Sequence, residues 1–394
     1  MKTLYQHFES EFAAIHKKAV TYRRHIHANP ELSGSEVQTA AFIEHTLKEI
    51  GIETIRHFEN HGISALIKGK TLKPVIGIRA EMDALPIEET NEVDYVSKNR
   101  GVMHACGHDV HMSILLGLAE LLHKHSDELP VSVELIFQPS EETLPGGAKA
   151  MIEGGVLKNP TIDFMLALHV LPEMKVGNVG FRKGMYMASG DEIYMTLLGK
   201  GGHAAMPHLL NDPVVCAAQI VTSMQQVISR RASPEIPSVL SFGRFIANGR
   251  TNVIPDVVEI EGTFRTFDEK WRIRAHKLIS DIAMNTAESA GVAADVKIIK
   301  GYPVLFNNEV LTEKIIKIAK KTLGSNHVEE LPLRMTADDF AYYTHEVPSC
   351  YMRIGTGTGK QGGTRFLHTP LFDVHEDSIY TGIKLLSGIL LNKF

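Results

Sequence analysis

Nine consecutive residues, Met103-His104-Ala105-Cys106-Gly107-His108-Asp109-Val110-His111, carry three imidazoles and one thiol. Cys106 and His108 stand two apart. In extended backbone such side chains project to one face, and the intervening Gly107 lets the chain bend tightly. A thiolate beside an imidazole is the start of a transition-metal site. The plainer reading is a buried cysteine with hydrogen-bonded histidines just ahead of a helix. Other stretches add donors. Glu81 and Asp83 follow the apolar run Val75–Ala80. Glu141 and Glu142 follow Val131–Gln138 and precede the turn Pro145-Gly146-Gly147. His169 closes the run Phe164–His169, and His368 lies in the irregular Phe366-Leu367-His368-Thr369-Pro370. Cys106, His108, Glu142, His169 and His368 together offer nitrogen, oxygen and sulfur donors that suit two late divalent metals. Neighbouring carboxylates at a strand end point in different directions, so one of Glu141 and Glu142 can bind metal while the other handles protons. His27 and Glu31 also hold possible chemistry, although histidines closing a helix are more often structural.

The elements that must position these groups can be read from periodicity. Helices are expected over residues 8–28, ended by Pro30, over Glu36–Ile50, stopped by Gly51, and from near Asp109 onward. Ala65–Ile67, Val75–Ala80, Val131–Gln138 and Phe164–His169 read as strands. Near-continuous apolar strands alternating with helices indicate an α/β fold, a mostly parallel sheet covered on both faces. Ligands of such sheets bind beyond the carboxyl ends of the strands, which is where Glu81, Asp83, Glu141, Glu142 and His169 fall. From about residue 183 the pattern changes. Strands at Asp191–Leu198, Ser238–Ile246, Val257–Thr266 and Ala294–Lys300 alternate with helices from Asp212-Pro213 to about Arg231 and over Glu269–Ala290. The order β-α-β-β-α-β is that of a ferredoxin-like split βαβ unit. A helix at Asn308–Leu323, a strand at Cys350–Ile354 and a helix at Glu376–Leu391 return to the first style. The expected organisation is a catalytic domain over residues 1–182 and 302–394, interrupted by a smaller α+β domain over 183–301.

Composition narrows the class. With 394 residues, 44% of them hydrophobic and 22% charged, the chain suits an ordinary globular protein of more than one domain. A net charge of -5 argues against a nucleic-acid-binding role. Three cysteines, Cys106, Cys216 and Cys350, are too few for a disulfide framework and fit a reducing compartment. No apolar run reaches membrane-spanning length, and the expected location is cytoplasmic.

Motif by motif the chain resembles the M20 metallopeptidase clan, specifically its amidohydrolase branch of aminoacylases, hippurate hydrolases, indole-acetyl-amino-acid hydrolases and N-acetyl-diaminopimelate deacetylases. The resemblance is carried by His25–Glu31, Arg79–Pro86, Met103–His111, Gln138–Gly147, Ala167–His169, Gly201–His208, Asn252–Pro255 and Leu367–Pro370, in order along nearly the whole sequence. It implies a two-metal hydrolase fold with an inserted dimerisation domain. It also implies Cys106, His108, Glu142, His169 and His368 as ligands of two divalent ions, zinc or manganese in the first instance, or cobalt or nickel. Glu141 becomes the general base and acid, and Asp83 the residue that orients ligands. His203 becomes the donor to the oxyanion, supplied across a homodimer that can pair further into a tetramer, and Asn252 and Arg265 hold the substrate carboxylate. Glu81 replaces the aspartate usual in the branch, and Thr336-Ala337-Asp338-Asp339-Phe340 departs from its usual Glu-Asp-Phe. The implied activity is hydrolysis of N-acyl-L-amino acids bearing acetyl or aryl-acyl groups. A dipeptidase or aminopeptidase of the same clan is the nearest rival, and a ligand-binding protein that has lost catalysis is the reading from another class.

Overall fold

The structure is a computed structural model and describes residues 4–357 and 365–392. The chain divides into two compact units. The first comprises Met1–Tyr186, Phe306–Leu333 and Asp339–Phe394, and the second comprises Met187–Leu305 and Arg334–Asp338.

The first unit is built on an eight-stranded mixed sheet. Its centre is four parallel neighbours, in the order Ser132–Gln138, Val75–Glu81, Phe164–Lys175 and Ser349–Gly357. Every residue of Val75–Glu81 and Ser132–Gln138 is buried, as expected for strands covered on both faces. Ile63–Ile67 and Ile55–His57 extend one edge antiparallel. The connection from Val75–Glu81 to Ser132–Gln138 runs one way across the sheet. The connection from Ser132–Gln138 to Phe164–Lys175 steps back over Val75–Glu81 the other way. Right-handed crossovers in opposite directions put their helices on opposite faces. Helix His108–Lys124 accordingly packs with Leu4–Ala28 and Asp377–Leu390, while Gly147–Glu153 packs with Ala341–Glu346.

One strand differs from the sequence reading. Phe164–His169 was expected to end at the histidine, but the strand runs to Lys175. The reason is register. Its pairing with Val75–Glu81 stops at Arg79 opposite Ala167, whereas its pairing with Ser349–Gly357 continues from Arg353 opposite His169 to Gly357 opposite Lys175. His169 therefore lies mid-strand on one side and at the end of the ladder on the other, level with the exit of Glu81.

The second unit has four antiparallel strands in the order Ser238–Ile246, Val257–Thr266, Asp191–Leu198 and Ala293–Lys300. Helices Pro213–Gln226 and Glu269–Ser289 cover one face. That strand order is the ferredoxin-like one for a β-α-β-β-α-β chain. Asp191–Leu198 alternates accordingly, burying Ile193, Met195 and Leu197 against the helices. Asp212 caps the first of these helices by accepting from the amides of Val214 and Val215, with Pro213 in the first turn.

Candidate metal centre

Three stretches bring most donors of the first unit to one place. The first follows Val75–Glu81, where the chain turns through Met103–Gly107 into helix His108–Lys124. Gly107 has φ +84°, and a Cβ there would lie 2.5 Å from Val170, so only glycine lets the turn approach the next strand this closely. The turn buries both Cys106 and His108. The second is the loop after Ser132–Gln138, which presents Glu141 and Glu142. The third is His169 on its strand. His368 comes from the segment before the last helix, where its amide donates to the Ala105 carbonyl at 2.8 Å and ties that segment to the Cys106 turn. His368 has φ +61°, uncommon for a residue with a side chain.

Hydrogen bonds fix the imidazoles. His108 Nδ1 donates to the Asp83 carbonyl at 2.8 Å, and His169 Nδ1 donates to the Val170 carbonyl at 2.9 Å. Both rings thus turn an Nε2 lone pair to the same space, the arrangement that carbonyl-anchored metal ligands use. Cys106 Sγ lies 3.4 Å from His169 Nε2 and 3.4 Å from His368 Nε2. Glu142 Oε1 lies 3.4 Å from His368 Nε2 and 3.9 Å from His108 Nε2. Donors held about 2.0–2.3 Å from a tetrahedral ion sit roughly 3.3–3.8 Å from one another, and these separations fall in or near that range. Among the candidate donor groups, Cys106-His108-His169 and Cys106-Glu142-His368 share the thiol. Another group joins Glu141 to His108 and Glu142.

The donor chemistry fits cations. His108 Nε2 and Glu142 Oε1 are buried polar atoms without a hydrogen-bond partner among the described residues, and such atoms are costly unless something meets them. Burial, then Glu142 and Glu141, push the Cys106 thiol well above its ordinary value, so a thiolate there needs a positive ion beside it. For His108, burial pulls the pKa down, but Asp83, Glu81 and Glu142 together lift it to about 10. That too marks a surplus of negative charge which a cation would neutralise.

Asp83 supports the centre. One of its oxygens accepts from the Glu142 amide at 2.9 Å and from Ser33 Oγ at 2.7 Å. Glu81 falls in a further donor group, with His108 and His111, and both of its oxygens are engaged. It is fully buried, accepting from Arg79 and, at 2.7 Å, from His111 Nδ1. His111 Nε2 in turn accepts the Val170 amide at 3.0 Å, bracing the residue after His169. Asp339, in the stretch that departs from the branch's usual Glu-Asp-Phe, is fully buried. It takes Arg79, the Gln138 amide group and the Ala148 amide, tying the ends of two strands to the helix Gly147–Glu153. His27 bonds Asp109 at 2.9 Å and Glu89 at 3.2 Å, in a buried cluster with Arg23. The roles of Arg79, His111 and Asp339 as buried supports were not legible in the sequence. The available signal was a charged pair, Arg79 and Glu81, inside an otherwise apolar strand, which demands buried partners.

His203, Asn252 and Arg265 belong to the second unit. His203 pairs with Val253 across a short ladder, and the Ala204 amide donates to the Asn252 carbonyl, so His203 and Asn252 are neighbours. His203 is exposed, and its Nδ1 accepts the Ala205 amide at 3.1 Å, which in the neutral ring leaves an Nε2–H to donate. Arg265 is partly buried, and its guanidinium makes no ion pair or hydrogen bond among the described residues. Burial lowers its pKa against the opposing pull of Asp191 and Glu192.

Comparison with known proteins agrees with this chemistry. The sequence profile described as Peptidase family M20/M25/M40 matches residues 77–392. The chain is 38% identical over 367 residues to the N-acetyl-L-cysteine deacetylase of Bacillus subtilis, covering 93% of this chain and 86% of that one. It is 36% identical over 397 residues to thermostable carboxypeptidase 2 of Saccharolobus solfataricus, covering 99% of each. A solved Bacillus subtilis structure, described as a dinuclear metal binding peptidase from the M20 family, superposes with a TM-score of 0.78. It is 32% identical in sequence, and the match covers 96% of this chain and 99% of that one.

Proposed function

The chain belongs to peptidase family M20/M25/M40 and is a metal-dependent hydrolase of amide bonds, and from that premise we propose that it cleaves N-acyl-amino acids to a carboxylate and a free amino acid. The observation that carries the reading is the pair of donor groups sharing Cys106, with a further carboxylate, Glu141, beside them. Cys106, His108, Glu142, His169 and His368 would hold two divalent ions, which when bound polarise a substrate carbonyl and acidify a water molecule.

The remaining work falls to the chain's own groups. Glu141 takes a proton from the attacking water and returns it to the leaving amine. Asp83 keeps the Glu142 backbone and the His108 ring in place while charge shifts. His203 donates from Nε2 to the oxygen on which negative charge develops. Arg265, whose guanidinium makes no ion pair among the described residues, and Asn252 hold the free carboxylate of the amino-acid half. In this reading the protein is a homodimer and His203 serves the site of the partner subunit.

The relatives support the amino-acid half of the substrate. One is named for an N-acetyl-amino acid and another as a carboxypeptidase. Both activities cut an amide whose amine side carries a free carboxylate, which is the group Arg265 would receive. A peptidase acting on longer chains is the second reading, favoured by the carboxypeptidase match. The deciding experiment is a kcat/KM comparison of acetyl-, benzoyl- and indole-acetyl-amino acids, their methyl esters and free dipeptides, with zinc, manganese, cobalt and nickel. Free-carboxylate acyl-amino acids should be turned over and their methyl esters not. Dipeptides hydrolysed with equal or higher kcat/KM would overturn the proposal.

A further inference from the structure

The segment Glu31–Thr39 holds none of the proposed metal ligands, yet several of its groups grip the supports of the site. The Glu31 carboxylate accepts the Gln38 and Thr39 amides at 3.1 and 2.8 Å, fixing the start of helix Val37–Ile50. Its carbonyl accepts the Ala84 amide at 2.8 Å, beside Asp83, whose carboxylate Ser33 also holds. Glu36 is fully buried, and its Oε1 accepts the Ser140 amide at 2.7 Å. A buried carboxylate is a costly way to fill space, so the group it meets matters.

That group is unusual. Ser140 has φ +55°, the left-handed region that residues with a side chain rarely adopt. Its carbonyl accepts the Gly147 amide at 3.1 Å, and Gly147 has no room for a side chain, since a Cβ would lie 1.9 Å from the Pro139 carbonyl oxygen. Ser140 is thus held at its N–H by Glu36 and at its C=O by the returning loop. The next residue is Glu141.

We propose that Glu36 is a positioning residue for the hydrolysis: its carboxylate holds Ser140 in the left-handed conformation that aims the Glu141 carboxylate at the reacting atoms. The inference rests on the reading of Glu141 as proton carrier. Glu142 is anchored separately by Asp83, so loss of Glu36 should disturb the base more than the ligand.

The test compares Glu36→Ala, Glu36→Gln, Glu36→Ala/Ser140→Gly and Glu141→Gln by kcat, KM, melting temperature and zinc affinity in chelator competition. Glu36→Ala should lower kcat by roughly 10- to 100-fold, the scale of a misplaced catalytic group, with KM and zinc affinity within about threefold of wild type. Glu36→Gln keeps an acceptor for the Ser140 amide and should recover most of the rate. Ser140→Gly should restore kcat in the Glu36→Ala background, because glycine adopts positive φ unaided. A general packing role would leave the double variant as impaired as Glu36→Ala, and that result overturns the proposal, as does an unimpaired Glu36→Ala. Should Glu36→Ala fail to fold, Glu36→Met fills the volume without an acceptor and carries the same comparison. Turnover retained in Glu141→Gln would instead sink the base assignment, separating failure of that reading from failure of the brace.

Discussion

Glu141 and Glu142 are adjacent in sequence and differ in their settings. Glu142 is tied through its amide to Asp83 and places Oε1 near two imidazoles, whereas Glu141 joins the cluster from the side of His108. If Glu141 carries the proton, Glu141→Gln should keep its metal and lose roughly three orders of magnitude in kcat. Glu142→Ala should lose metal content first. Metal analysis and steady-state rates on the two variants check this, and near-normal turnover in Glu141→Gln would contradict it. At this scale the donors were legible because their types are conspicuous where strands end: a thiol, imidazoles and paired carboxylates after apolar runs. Their supports were not. Arg79 meets Asp339 across 260 positions of sequence, and Glu36 meets Ser140 across 104, separations at which no local pattern survives. Glu36 looked like the first residue of an amphipathic helix, and nothing in its neighbours announces a buried carboxylate.

At the scale of elements, the parallel strands and the helices of both units followed from apolar runs and 3.6-residue periodicity. What those patterns could not give is where a strand stops pairing. The apolar run that ends at His169 continues through Val170 and Leu171, and pairing with Ser349–Gly357 carries it to Lys175. The strand Ser132–Gln138 holds a second charge in an apolar run, Glu134, fully buried with neither oxygen partnered among the described residues. Burial lifts its pKa to about 7, with Ser64 and Arg56 opposing. A raised acid is neutral at little cost below its unfolded pKa, so its contribution to stability is intact there. That contribution is lost as pH climbs through the folded value. Glu134→Gln should therefore match wild type near pH 4.5 and exceed it by up to roughly 3 kcal/mol at pH 8. Urea unfolding of both proteins at the two pH values, in one metal state, measures it. A difference that does not widen with pH would show that Glu134 is not held neutral.

For the whole molecule, every proposed metal ligand lies in the first unit and His203 lies in the second. If the protein is a dimer whose subunits exchange this histidine, two inactive variants should complement one another. Glu141→Gln and His203→Ala subunits, unfolded, mixed equally and refolded, should give about half mixed dimers. Each would hold one complete site, restoring roughly a quarter of wild-type activity. A mixture that stays inactive, with mixed dimers confirmed by mass, would assign His203 to its own subunit. The change of strand style near residue 183 set the expected boundary, whereas the second unit begins at Met187. The share of Arg334–Asp338 in the second unit was not legible, because those residues lie far along the chain from the rest of it. If the reading of the metal centre holds, amide hydrolysis here depends on divalent ions held around Cys106. The most direct measurement is turnover of an N-acetyl-amino acid by rigorously metal-stripped protein, titrated with zinc or manganese and followed by metal analysis. Activity should be absent in the stripped protein, return with added metal and saturate near two ions per subunit, with Cys106→Ala binding less. Full turnover in a preparation verified as metal-free would contradict the account.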